Sequence, residues 1–211
     1  MNTQNGIPIN VGIDTSQDQL DIYVRPLGDY FSHPNTPQGA KAAVKAIRAY
    51  KPERVVIEST GRLEFEFVLA ANKAKLPVAV CNPGNARDFA KSIGSTAKTD
   101  KLDAMDIAHF AEVTKPRLKV LKPEKLRLIS DLLAVRSQCL EMSTMQKNRL
   151  KRMPKSVHAP IRAVLKTLQT QIAGIDKKID KLATEVPEWK AQRDLLMSAK
   201  GVGKILAYTL M

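Results

Sequence analysis

Ile9-Asn10-Val11-Gly12-Ile13 is apolar at alternate positions, the period of a strand with one covered face, and Asp14 follows directly. Leu20, Ile22 and Val24 repeat that period after a polar turn at Thr15 to Asp18, so the segment reads as a β-hairpin. A third short strand includes Tyr30 and Phe31. Thr36-Pro37 then supplies an N-cap with proline at the first helical position, and the helix it opens runs to about Tyr50 with Ala40, Val44 and Ile47 on one face. Arg54-Val55-Val56-Ile57-Glu58 is continuous and β-branched, the pattern of a central strand covered on both sides.

Further along, a helix is expected from about Leu63 to Lys75, a short buried strand at Val78-Ala79-Val80-Cys81, a turn at Asn82-Pro83-Gly84-Asn85 and a helix from Thr99 to about Val113. Three antiparallel strands followed by helix, strand, helix, strand, helix predict an α/β fold with a mixed sheet and flanking helices, in the ribonuclease H-like order. Other α/β folds share this pattern. Beyond Pro116 the strand signals vanish. Leu126, Ile129, Leu133 and Leu140 recur at helical spacing, and after the breaker from Met153-Pro154 to Pro160 a stricter pattern begins. Ile161, Leu165, Leu168, Ile172, Ile175, Ile179 and Leu182 step by four and three, a heptad seam that predicts a coiled-coil hairpin or dimerisation arm ended by Pro187. The expected organisation is therefore a ribonuclease H-like α/β domain over 1–115, a helical coiled-coil arm over 116–190 and the start of a helix-hairpin-helix-like domain over 191–211.

Charge divides the chain along the same line. Residues 1–115 carry 14 Lys and Arg against 13 Asp and Glu, whereas residues 116–211 carry 20 against 8, so nearly all of the net +13 lies in the second half. A near-neutral domain joined to a strongly basic one points to a polyanion partner, because cations gain affinity by releasing counterions from phosphates. Lys147, Arg149, Lys151, Arg152 and Lys155 form the densest cluster. Gly201, Gly203 and Lys204 lie where a Gly-x-Gly turn opens a helix and offers backbone N–H groups to a phosphate. The turn is not a Walker loop, since Ser198 stands in place of its first glycine and Ile205 in place of its Ser or Thr. No apolar run approaches the roughly 20 residues of a membrane span, and Met1-Asn2-Thr3-Gln4-Asn5 is no signal-peptide core, so a cytoplasmic protein is expected. Cys81, Cys139 and the three histidines are scattered, which argues against zinc.

Four acids carry the expected chemistry. Asp14 and Glu58 end apolar strands, and Asp100 and Asp103 lie three apart on one helix face. Magnesium or manganese needs hard oxygen ligands, and a cage of carboxylates supplies them for phosphodiester displacement. Taken one at a time, these acids also suit a turn cap, a strand end and a solvated helix start.

Val11-Gly12-Ile13-Asp14, Val56-Ile57-Glu58-Ser59-Thr60-Gly61 and Lys98-Thr99-Asp100-Lys101-Leu102-Asp103-Ala104 resemble, in order, the signature blocks of the DEDD transposases of bacterial insertion sequences, a group that includes the pilin-gene DNA invertase. The match covers about residues 9–115, and Leu195 to Leu210 resembles the opening of that family's C-terminal domain. The resemblance implies a fold shared with Holliday-junction resolvases, and metal-ligand or catalytic roles for Asp14, Glu58, Asp100 and Asp103. It further implies Mg2+ or Mn2+ as cofactor, DNA as partner, an RNA encoded by the element as a second partner in some members, and strand transfer assisted by a C-terminal serine. The chain stops at Met211, so a truncated product is expected and no serine here is assigned that role. A homo-oligomer through the helical arm is expected as well, because recombination holds two duplexes together.

Three alternatives remain open on these residues. A stand-alone nuclease or junction resolvase uses the same acids with water as nucleophile. A sugar-kinase or actin-like ATPase also opens on a hairpin such as Gly12-Ile13-Asp14-Thr15, yet needs a second phosphate loop that is missing here. A catalytically inactive nucleic-acid-binding fragment needs only the basic half.

Overall fold

The first half of the chain folds around a five-stranded mixed sheet. The structure, a computed structural model, describes residues 3–4, 7–95 and 99–210, so Lys98 of the third signature block and Met211 lie outside the described residues. The chain divides into two compact units, Met1–Leu121 and Lys122–Met211. A short antiparallel pair, β1 (Thr3–Gln4) with β2 (Ile7–Pro8), precedes the sheet.

Strands β3 (Asn10–Thr15), β4 (Gln19–Arg25) and β5 (Asp29–Pro34) form the antiparallel meander, while β6 (Arg54–Glu58) and β7 (Val78–Cys81) add in parallel on the other side of β3. Successive side chains on a strand alternate faces, and that parity sorts the layers. Val11, Ile13, Leu20, Ile22, Val24, Val55 and Ile57 join one core cluster with α1 (Pro37–Ala49) and α2 (Phe65–Lys73). Val56, Ala79 and Cys81 face the opposite way and pack with α3 (Pro83–Ser92) and α4 (Asp100–Thr114).

Side-chain caps set three of the helix starts. The side chains of Thr36, Asn82 and Thr99 accept from the backbone N–H groups of Gly39, Gly84 and Leu102. Asn82-Pro83-Gly84-Asn85 is thus the first turn of α3 rather than an isolated turn, because proline fits the opening position of a helix as it does at Pro37. α4 crosses the sheet over β3. A Cβ placed on Gly12 would stand 2.2 Å from Ala104 O and 2.2 Å from Ala108 N, so the helix backbone rests directly on the strand.

The second unit is helical: α5 (Glu124–Arg152), a 3-10 turn at Lys155–Val157, α6 (His158–Thr184), α7 (Pro187–Met197) and α8 (Lys204–Leu210). α5 and α6 lie antiparallel, with Lys125 bridged to Glu185 at 2.7 Å and Arg136 to Asp176 at 2.6 Å. Leu165, Leu168 and Ile179 of the heptad seam are buried and the other four seam residues half-buried within the single chain. On α5, Ile129, Cys139 and Ser143 are the buried residues, and Leu140 is exposed, one position round from the packed line. α8 folds back onto this hairpin through Tyr208, which joins the cluster of Ile129, Ile179 and Ala183.

Candidate functional site

Parallel pairing sets Ile13 beside Ile57, so the next residue on each strand, Asp14 and Glu58, leaves the sheet at the same end. Both have the parity of Gly12 and Val56 and project on the side of α4. The first turn of α4 supplies Asp100 and Asp103, where the helix dipole favours negative charge. All four acids line one cleft of roughly 460 Å3, together with Arg87 and Asp106. Among the described residues, no three His, Cys, Asp or Glu side chains form a group that could hold a metal ion.

The acids nevertheless act on one another. The Asp14 carboxyl is raised to about 6, chiefly by burial and then by Asp103 and Glu58, with a smaller push from Asp100. The Thr15 N–H, which donates to Asp14 Oδ1 at 2.9 Å, opposes that rise. Glu58 is also raised, first by burial; Arg87 pulls the other way and Asp103 adds to the rise. Next to Glu58 in register, the Cys81 thiol is pushed up to about 12 by burial and by Glu58, so it stays protonated and is no thiolate ligand at neutral pH.

Two more carboxylates stand close by. Asp106 is buried on α4, lines the cleft and accepts from Ser95 Oγ at 2.6 Å. Its spacing from Asp100 and Asp103 is a signal the sequence carries and the four-acid pattern passes over. Asp21 lies directly opposite Asp14 in the β3–β4 register and is buried. It accepts from Tyr30 Oη at 2.6 Å and Gln19 Nε2 at 2.8 Å, and this bond is the first cause of the Tyr30 phenol being raised to about 12. Arg87 and Lys91 reach the cleft from α3. Reading Asn82 to Asn85 as a plain turn hid them.

In the second unit Lys147, Arg149, Lys151, Arg152 and Lys155 are all exposed, at the C-terminal end of α5 and the turn after it. Gly201, at φ 90°, and Gly203 lie in the connection between α7 and α8. Lys204 donates to Asp180 Oδ2 at 2.9 Å, and the same carboxylate receives the Tyr208 hydroxyl, so this lysine ties α8 to α6. No helix among the described residues is long and apolar enough to cross a membrane.

A family model described as Transposase, of the DEDD type, matches residues 11–158. The pilin gene-inverting protein of Moraxella bovis is 25% identical over 200 residues, covering 92% of this chain and 62% of that protein. Its namesake from Moraxella lacunata is 25% identical over 150 residues, covering 71% and 47%. The chain therefore spans less than two thirds of the length of the curated relatives it matches. Among solved structures, RuvC of Thermus thermophilus aligns with a TM-score of 0.39 and 15% identity over 53% of this chain and 99% of that one.

Proposed function

The chain belongs to the DEDD transposase family, and from that premise we propose that it is the catalytic portion of a DNA recombinase working through Asp14, Glu58, Asp100 and Asp103. The observation that carries the reading is the convergence of the four acids on one cleft, where Asp103, Glu58 and Asp100 all push the Asp14 carboxyl up, to about 6 with its burial. Strand order, with an antiparallel meander on one side of β3 and parallel strands on the other, supports the ribonuclease H-like reading.

Carboxylates that line one cleft are the hard oxygen donors that Mg2+ or Mn2+ takes, although as placed no three of them close around an ion. When bound, such ions polarise a phosphodiester and lower the pKa of an attacking hydroxyl. Asp14 and Glu58, on the rigid strand ends, and Asp100 and Asp103, on the helix laid over β3, would hold the ion. Asp14, raised to about 6, would give up its proton more readily with a cation in the cleft. The exposed cluster from Lys147 to Lys155 takes the DNA backbone, and suits an RNA strand through the same phosphate chemistry. Of the predicted phosphate contacts beyond that cluster, the Gly201 and Gly203 backbone contributes more than Lys204, whose charge is engaged by Asp180. Assembly of two copies for strand exchange also belongs to the proposal. The Ile161 to Leu182 seam is turned inward, so another surface of the arm makes that contact.

A stand-alone nuclease is the second reading, favoured by the fact that all four acids lie in the first unit. Labelled DNA incubated with the chain and Mn2+ separates the two, since a recombinase yields joined strands and a nuclease only cut ones. Equal Mn2+ affinity after Asp14→Asn and Asp103→Asn removes both readings.

A further inference from the structure

Arg87 lines the cleft beside its acids and is paired with one of them. Its Nη2 stands 3.9 Å from Glu58 Oε1, a loose ion pair between very unequal partners. The Glu58 side chain is 12% exposed and Arg87 is 70% exposed, so the carboxylate is fixed and the guanidinium is movable. The backbone beneath Arg87 is firmly placed. Ala86 is buried in the core shared with α4, and Phe89 packs edge-on against His109 and Phe110. Lys91, one turn along the same face of α3, also lines the cleft and is paired with Asp88 at 3.8 Å, whereas Arg87 is the one paired with Glu58.

We propose that Arg87 is a placeholder cation: it occupies Glu58 in the nucleic-acid-free protein and moves to a phosphate of bound DNA, freeing Glu58 to ligate a divalent ion. The inference rests on the carboxylate cleft being a divalent-metal site. A guanidinium suits the exchange because its planar fork matches phosphate and carboxylate alike and keeps its charge at any working pH. A single cation cannot serve Glu58 and a phosphate fully at once, so DNA and metal binding are coupled through it with the same factor in both directions. Arg87 acts as a positioning residue, setting which acid is available before chemistry begins.

The test is a Mn2+ titration of the whole chain, with and without a saturating short duplex oligonucleotide. Without DNA, Arg87→Ala should bind Mn2+ more tightly than the parent, by up to about fivefold, the range an exposed ion pair supplies. With DNA, the gain in Mn2+ affinity seen for the parent should shrink in Arg87→Ala and be partly kept in Arg87→Lys, which retains the charge without the fork. Weaker or unchanged Mn2+ binding by Arg87→Ala overturns the inference, because a residue that merely props Glu58 in place lowers metal affinity when removed. Glu58→Gln separates the two levels of argument. If it leaves Mn2+ binding untouched, or the parent binds none, the metal reading fails and this inference falls with it; if it weakens binding while Arg87→Ala does not tighten it, only the placeholder role falls.

Discussion

The two units of the chain hold charge in opposite ways. In the first, acids sit at the edge of a dense apolar sheet and push up the proton affinity of Asp14 and Glu58, as Asp103 does for both. In the second, several acids are paired with cations, as Asp176 is with Arg136 and Asp180 with Lys204, and the cluster from Lys147 to Lys155 faces water. Matched charges stabilise a helical hairpin. Crowded like charges are a standing cost that the apolar packing of β3, β6 and α4 offsets, and such a cost is retained where charge is to be brought in from outside.

The largest expected effect is at the contact that brings the acids together. Gly12→Val forces a side chain into the backbone of α4 and should destabilise the first unit by about 3 kcal/mol or more, read as lost hydrogen-exchange protection in β3 and α4. Unchanged protection would show that the helix can lift without consequence. Second in size, replacing Lys147, Arg149, Lys151, Arg152 and Lys155 together with Gln should weaken DNA binding about a hundredfold at low salt and flatten its salt dependence by about three to four. A slope that does not move places the DNA elsewhere.

Smaller effects probe each style of charge on its own. Asp180→Ala removes the acceptor shared by Tyr208 and Lys204 and should cost about 2 kcal/mol, measured by denaturant unfolding of the second unit. Asp14→Asn should do the reverse and stabilise. The folded carboxyl titrates near 6 against an ordinary 3.8, so its contribution to stability is full below 3.8 and is lost as pH rises through 6. The Asn variant should therefore match the parent near pH 3.5 and exceed it above pH 7 by about 1 kcal/mol, allowing for solvent screening of a half-exposed group. A parent as stable as the variant at pH 8 would mean the acids do not strain the fold.

Much of the first unit was legible because strand parity is strict. Alternation at Val11, Ile13, Leu20, Ile22 and Val24 gave the hairpin, and the unbroken Val55-Val56-Ile57 run belongs to a strand covered on both faces, as observed. What stayed hidden depends on register and on distant contacts. Asp21 reads as one more polar residue on a strand until pairing sets it across from Asp14. α3 and its Arg87 were lost because Asn-Pro-Gly-Asn serves a turn and a helix start equally well, and only the Asn82 cap decides between them. Gly12 carried a readable signal, since glycine inside a strand marks a close backbone approach, but which element approaches is a tertiary fact. On the arm, periodicity found the right helices and misjudged one face, where the packed line follows Cys139 and leaves Leu140 outside.

The seating of α4 on Gly12 also fixes how the cleft can deform. Asp100 and Asp103 hang from one rigid helix turn, and Asp14 and Glu58 from two hydrogen-bonded strands, so the spacing within each pair is hard. Only the gap between the pairs is adjustable, and it is bounded below by backbone touching backbone at Gly12. The cleft thus has one soft coordinate with a hard stop. A ligand can draw the two pairs together only as far as that stop, so the narrowest width open to the cleft is set by main chain, at Gly12 and Ala104, and not by the acids themselves.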